Sequence, residues 1–393
     1  MVDKTNNTSY DLAMRYFKPI LEMEFNGIKV DKIELNRLRD EYQDKAKNLE
    51  TNIKKLAGES FNSRSWQQIL TFLGGVGIKL PDTSEPTMEA NVDKHEVIQL
   101  ILDLRKVEKK IDYLNGYEAN CDKDNLIHST YSVLGAETLR CSSKDPNMQN
   151  VDPKLRGVFI PRFENGKLIS PDCSCLEYRL IGHASQDARL LKIFRNDEDI
   201  HRFVVNFLTS KAIDQITKEE RDEGKTENYA SVYNCGFDKF TTMLGREDRP
   251  LFYKLKNLYP GVNRLKEKIK AQLYNIKSLT NMFGHRRDFK GEISYSTELE
   301  SWNWLFQSAG HTILKCMIIE WDKIIKENDA SDMVLLVQEG HDSGVFDTHP
   351  NYVEDVEQMI SNTDLNELIE RYLGVEMTAP FLIKAETMER WRK

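Results

Sequence analysis

The spacing of apolar residues changes period along this chain, and each change marks an element. Residues 10–25 carry apolar positions at helical spacing and stop at Asn26-Gly27, a turn signal. From Asp31 a long charged stretch puts Leu35, Leu38, Tyr42, Leu49, Ile53 and Leu56 on one side, predicting an amphipathic helix to about Leu56. Glycine and proline punctuate the chain from Gly58 to Pro86, and a second amphipathic helix is predicted over about 93–117. Residues 1–117 read as one elongated, mainly helical element. "HSTYSVLGA" (128–136) is β-prone, and "GKLISPD" (166–172) ends an apolar strand. Residues 174–291 are mostly helical in pattern, with breaks near 196–199 and 234–248, and one long helix is predicted over 301–326. "VLLVQEGHDSGVFD" (334–347) holds two β-prone runs around a Gly-rich break, which predicts a hairpin. No repeat period stands out. The order of helical arm, sheet, helical insert and sheet again predicts an α+β core interrupted by a helical subdomain.

Bulk composition narrows the class. A length of 393 residues suggests two to four domains at roughly 100–200 residues each. Hydrophobic residues at 40% and charged residues at 30% are ordinary for a globular protein. No apolar run reaches the length of a membrane span, and the N-terminus lacks a signal-peptide pattern. The six cysteines form no CxxC pair and no Cys/His zinc spacing, so reduced thiols in a cytoplasm, that of a bacterium or an infected host cell, are expected. Cys173 and Cys175 are read as two such thiols rather than a ligand pair. The net charge of −8 weighs mildly against a nucleic-acid partner, but its distribution does not. Residues 251–290 hold ten Lys/Arg and two Asp/Glu, a local +8 that leaves −16 for the rest. Tyr253, Tyr259 and Tyr274 are interspersed, as in a polyanion-binding groove; a solvated helix face is the competing reading.

Two carboxylates and one helix carry the candidate chemistry. Asp172 lies at a predicted strand end, and Ser174-Cys175-Leu176-Glu177 matches an S-x-x-E capping box that would start a helix. Asp342 sits in the predicted hairpin turn, 170 residues further on. If the two meet, they could bridge two Mg²⁺ ions about 3.5–4 Å apart, an arrangement suited to phosphoryl transfer. Thr217-Lys218-Glu219-Glu220 is a second capping box. Within its helix Arg221, Lys225, Tyr229 and Tyr233 follow at steps of four, so they share one stripe of two cations and two rings. The stripe suits a triphosphate followed by sugar and base; surface pairs with Glu219 and Glu220 are the alternative.

These blocks resemble the motifs of family A DNA polymerases, the class of bacterial DNA polymerase I and several phage replicases. "DCSCLEYRLIGHASQDARLL" is similar to the pattern Asp-x-Ser-x-x-Glu-x-Arg, "RDEGKTENYASVYNCG" to Arg-x3-Lys-x3-aromatic-x3-Tyr-Gly, and "HDSGVF" to His-Asp-Glu. "TLRCSSKDPNMQN" (138–150), "NWLFQSAGHTILKCMI" (303–318), "FNGIKVD" (25–31) and "FNSRSWQQIL" (61–70) resemble supporting blocks, in the family's order. The resemblance implies a template-directed DNA polymerase acting on primer–template DNA and dNTPs with two Mg²⁺ ions. It implies that Asp172 and Asp342 bind metal, that Arg221 and Lys225 hold the triphosphate, and that Lys225 takes part in catalysis. Tyr229 would lie on the sugar, Tyr233 beside the templating position, and Glu177 would exclude a 2′-hydroxyl. Arg140, Asn303 and Gln307 would touch the minor groove, while His201 and His341 would lie near the triphosphate and the primer end.

The implied shape is a right hand: helical thumb 1–128, antiparallel-sheet palm 129–180 and 292–393, helical fingers 181–291. The family's pattern is broken at Ser343, Cys175, Asn234, Leu139 and Leu299. Compact length and divergent motifs point to a phage-type member. No proofreading exonuclease is expected on this chain: proofreading is either absent or supplied by another chain, and a separate exonuclease or processivity chain is a candidate partner. A single-subunit RNA polymerase and a non-catalytic DNA-binding relative are the rivals. Glu177 as sugar gate, with no room for a promoter-binding domain, weighs against the first, and retention of Asp172, Asp342 and Lys225 against the second.

Overall fold

The computed structural model describes residues 4–392 other than 234, 341 and 342, with side chains from residue 10 onward. Two compact units make up the chain: Met1–Asn26, Tyr131–Ser142 and Ile169–Thr387 in the first, and Gly27–Thr130, Ser143–Leu168 and Met388–Lys393 in the second.

In the second unit Asp31 starts a helix as its sequence predicts. Its carboxylate accepts from the backbone N–H of Ile33 and Glu34 and caps the helix Lys32–Ala57. Leu35, Leu38, Tyr42 and Ile53 are buried on its predicted apolar side, but Leu56 is 41% exposed, so the stripe ends before it. This helix packs against the helix Glu96–Ala119. A three-stranded sheet runs Leu126–Ile127, Ile28–Val30, Phe159–Ile160. Gly27 ends the preceding helix at φ +62, where a Cβ would lie 2.9 Å from the Ile127 carbonyl oxygen.

The helix Lys4–Asn26 belongs to the first unit, because Tyr16, Ile20 and Met23 are buried in that unit's core. The single helical arm expected over 1–117 therefore divides at Asn26. A four-stranded sheet has the order Ile383–Met388, Lys167–Cys173, Gly344–Thr348, Val334–Glu339. Its last two strands form the predicted antiparallel hairpin, with a register shift between Val345 and Phe346. Nearly every residue of these two strands is buried, which explains their continuous rather than alternating apolar runs.

The long helix spans Tyr295–Glu327 and begins earlier than its apolar pattern suggests, where Ser294 and Thr297 form a reciprocal cap. From Trp304 to Ile319 it is buried nearly all round, as expected of a central core helix. The predicted helical insert consists of the helices Leu176–Ser185, Ala188–Arg195, Ile200–Thr209, Lys218–Val232, Phe237–Leu244, Arg249–Lys256 and Pro260–Ile276. Among the described residues no helix is long and apolar enough to cross a membrane.

Candidate active site

Asp172 stands half-buried near the end of the strand Lys167–Cys173, as its sequence context predicts. The Ser174–Glu177 capping box does not form. The helix starts at Leu176 with Cys175 as its cap, in the left-handed conformation (φ 53), and no side chain caps it. That conformation costs a non-glycine residue roughly 1 kcal/mol, and here it turns the chain sharply between strand and helix. Glu177 is engaged elsewhere. Its carboxylate accepts a short hydrogen bond from Tyr233 Oη and lies 3.8 Å from Arg140 Nη2. Burial, then the Glu177 charge, raises the Tyr233 phenol far above its ordinary pKa, so it stays a donor.

The capping box at Thr217 and Glu220 forms reciprocally and starts the helix Lys218–Val232. Its polar stripe is present as predicted. The Tyr229 and Tyr233 rings stack at 4.2 Å, with Tyr229 42% exposed and Tyr233 buried. Lys225 is exposed. Arg221 Nε donates to Asp199 Oδ2 at 2.6 Å. Asp199 also caps the helix Ile200–Thr209. Burial pushes its carboxyl up, but the Arg221 hydrogen bond and backbone donors outweigh that and leave it below the ordinary range. Gly224 lets the two helices meet: a Cβ there would lie 2.7 Å from the His201 carbonyl oxygen. His201 is buried, 3.4 Å from Asn228 Nδ2, and burial lowers its pKa to about 4. It is therefore neutral at pH 7.

Asn303 and Gln307 are half-buried positions one turn apart on the long helix, flanked by buried residues. A cavity of about 710 Å³ collects Arg140, Asp172, Glu177, His201, Arg221, Lys225 and Gln307 on its walls. Asn303 and Tyr229 do not line it, and Tyr233 reaches it only through Glu177. His341 and Asp342 lie outside the described residues, as does Asn234. A second cavity of about 660 Å³, between Glu320 and Arg371, contains none of the predicted site residues. Asp199, Tyr178 and Lys384 line the first cavity without having been singled out from the sequence. Asp199 had a local signal, as a helix-capping Asp two residues before His201. Lys384 had none.

The basic segment 251–290 is not a uniform cationic strip. Lys266 donates to the Ser231 carbonyl and lies 5.4 Å from the Trp302 ring centroid, and burial lowers its pKa to about 7. Lys254 donates to the Leu208 carbonyl, and Lys270 pairs with Glu298 at 3.0 Å. Arg264 and Lys268 are exposed.

A strand-end carboxylate, Glu177 and the cations of the helix Lys218–Val232 thus line one cavity. The chain belongs to DNA polymerase family A, whose family model matches residues 32–393. Family A DNA polymerases use divalent metal ions. Over 404 residues the chain is 29% identical to DNA polymerase I of Helicobacter pylori (strain ATCC 700392 / 26695), covering 98% of this chain and 44% of that protein. DNA polymerase I of Caldicellulosiruptor bescii is 29% identical over 411 residues, covering 97% of this chain and 47% of the relative. The chain thus spans less than half the length of these curated relatives. Its α+β fold matches the POL domain of Pol1 from M. smegmatis, solved in complex with DNA primer-template and dNTP. The TM-score is 0.83 at 22% identity, over 96% of this chain and 70% of that one.

Proposed function

We propose that this chain is a template-directed, DNA-dependent DNA polymerase that adds dNTPs to a primer 3′ end by two-metal nucleotidyl transfer. The observation that carries the reading is the convergence of Asp172, Glu177, Arg221 and Lys225 on one cavity, each within a block that resembles a family motif. Asp172 and Asp342 would hold two Mg²⁺ ions. The hard carboxylate oxygens of Asp172 share a cavity with the Lys225 ammonium, a donor set suited to Mg²⁺ and phosphate together. Bound Mg²⁺ supplies charge neutralisation at the attacking and leaving oxygens.

The chain's own residues position the substrates. Arg221 and Lys225 would hold the triphosphate, which must compete with Asp199 for the Arg221 guanidinium. His201, neutral at pH 7, would offer a polar contact without adding charge. The exposed Tyr229 ring would pack on the deoxyribose. Glu177, fixed by Tyr233 and Arg140, would occupy the space that a 2′-hydroxyl needs. Tyr233 would lie beside the templating base, His341 near the primer end, and Arg140, Asn303 and Gln307 along the minor groove. This reading assigns the thumb to 1–128, with the helix Lys4–Asn26 packed in the first unit's core, the palm to 129–180 and 292–393, and the fingers to 181–291; the divergent motifs support a phage-type member.

Primer extension on a DNA template, first with four dNTPs and then with four rNTPs, tests the proposal. Mg²⁺-dependent dNTP incorporation is expected, with ribonucleotides rejected. Asp172→Asn should lower kcat by orders of magnitude while DNA binding persists. Extension with rNTPs would favour an RNA polymerase-like enzyme, and DNA binding without any extension a non-catalytic relative.

A further inference from the structure

Beneath the cavity three side chains from distant parts of the first unit come together. Cys141 follows Arg140, His311 lies one turn beyond Gln307 on the long helix, and Glu339 ends the strand Val334–Glu339. Their relative exposures are 2%, 1% and 0%. One ligand atom from each, the Cys sulfur, a His nitrogen and a carboxylate oxygen, lies within 4.8 Å of the other two. His311 Nδ1 is 3.5 Å from Glu339 Oε1.

We propose that Cys141, His311 and Glu339 form a site for one borderline-soft divalent cation of the zinc class, separate from the Asp172 carboxylate. Zinc binds thiolate at about 2.3 Å and imidazole or carboxylate at about 2.0–2.2 Å in a tetrahedron, so its ligand atoms lie about 3.3–3.6 Å apart. The His311–Glu339 separation already has that length. No separation in the cluster exceeds 4.8 Å, so none needs to close by more than about 1.5 Å. One sulfur, one nitrogen and one oxygen select zinc over Mg²⁺, which prefers oxygen alone.

Tyr16 Oη, 3.4 Å from Cys141 Sγ, is placed to hydrogen-bond the thiolate. Burial holds the free thiol up to about 12, so cation binding must displace its proton. His311 also lines the 710 Å³ cavity, which offers an entry path. A bound cation would tie together the segments that carry Arg140, Gln307 and the strand Val334–Glu339. The inference rests on the geometry of this unit and holds whether or not the chain polymerises DNA.

The test uses the full chain, dialysed against Zn²⁺ and then freed of loose metal, with zinc measured by mass spectrometry and Co²⁺ substituted as a spectroscopic probe. About one zinc per chain is expected, together with a thiolate-to-cobalt charge-transfer band in the near ultraviolet. Cys141→Ser should abolish the band. Glu339→Gln and His311→Ala should weaken zinc binding at least about 10-fold, with circular dichroism reporting on folding. Asp172→Asn should leave both signals in place. Wild-type protein that retains no zinc would overturn the proposal, even if every variant failed to fold. So would a band that survives Cys141→Ser, or zinc that is lost with Asp172→Asn.

Discussion

The helix Lys218–Val232 and the segment 251–290 are both rich in cations, and they place them in opposite ways. On the helix, Arg221 and Lys225 face the candidate cavity, and Asp199 holds Arg221 from a neighbouring helix cap. In the segment, Lys254 and Lys266 donate to backbone carbonyls, Lys270 meets Glu298, and Arg287 meets Glu137 and Glu300. Each region also holds one ionisable group that burial moves to about 7: Glu227 on the back of the helix, Lys266 in the segment. Net charge therefore says little about where a polyanion would bind. A helix stripe with period four keeps its cations on one face, whereas a segment folded into two helices and a hairpin turns its cations several ways.

The sharpest way to break this contrast is to remove one cation from each region. Lys225→Ala should lower kcat/KM for dNTPs by about 100- to 1,000-fold, the usual cost of losing a preorganised donor to developing charge. Lys266→Ala should change it less than about tenfold. Equal losses, read by single-nucleotide incorporation, would erase the distinction.

Next in size comes the aromatic half of the stripe. Tyr229→Phe is expected to make the enzyme reject dideoxynucleotides by about 10- to 200-fold, because a pocket polar group would go unpaired, at about 1–3 kcal/mol. The ratio of kcat/KM for dideoxy and deoxy substrates, in both proteins, measures it. An unchanged ratio would remove Tyr229 from the sugar.

The two shifted groups should act on stability in opposite pH windows. Between its unfolded value of about 4.3 and its folded value of about 7, Glu227 binds more protons folded than unfolded, so stability falls as pH rises through that window. Lys266 is the reverse: from about 7 up to about 10.4 the unfolded state binds more protons, so stability rises with pH. Glu227→Gln should therefore raise Tm by a few degrees at pH 8 and hardly at all at pH 4, while Lys266→Met should flatten the rise above pH 7. Thermal melts across pH 4–10 would show both effects, or a single common slope if the assignment is wrong.

The smallest expected effect concerns salt. Neutralising Arg264 and Lys268 should flatten the log–log salt dependence of DNA binding by at most about 0.9 for each phosphate that either residue pairs with. Replacing Lys254 and Lys270, already engaged within the protein, should leave it nearly unchanged. The opposite ranking would mean that these internal bonds open on DNA.

Much of the architecture was legible because its causes are local. Asp31 and Thr217 cap helices through N–H groups two or three residues away. Gly27 turns the chain where Asn26-Gly27 predicts, and the apolar run of the hairpin follows from burial on both faces. The same local logic failed at Ser174, where Cys175 adopts a left-handed conformation and Glu177 takes partners from elsewhere.

By itself the sequence determined the order of elements, the caps, and the stripe of Arg221, Lys225, Tyr229 and Tyr233, since hydrogen bonding and helical period act within a turn or two. Only the tertiary structure decided the rest. It paired Glu177 with Tyr233 across 56 positions and Arg221 with Asp199 across 22, and it turned Lys266 inward. It also gathered Cys141, His311 and Glu339, whose wide separation along the chain hides them from any spacing rule. The physical reason is that such partners meet only after the helices and strands pack. The free energy that places them belongs to the buried apolar surface around them, not to the residues themselves.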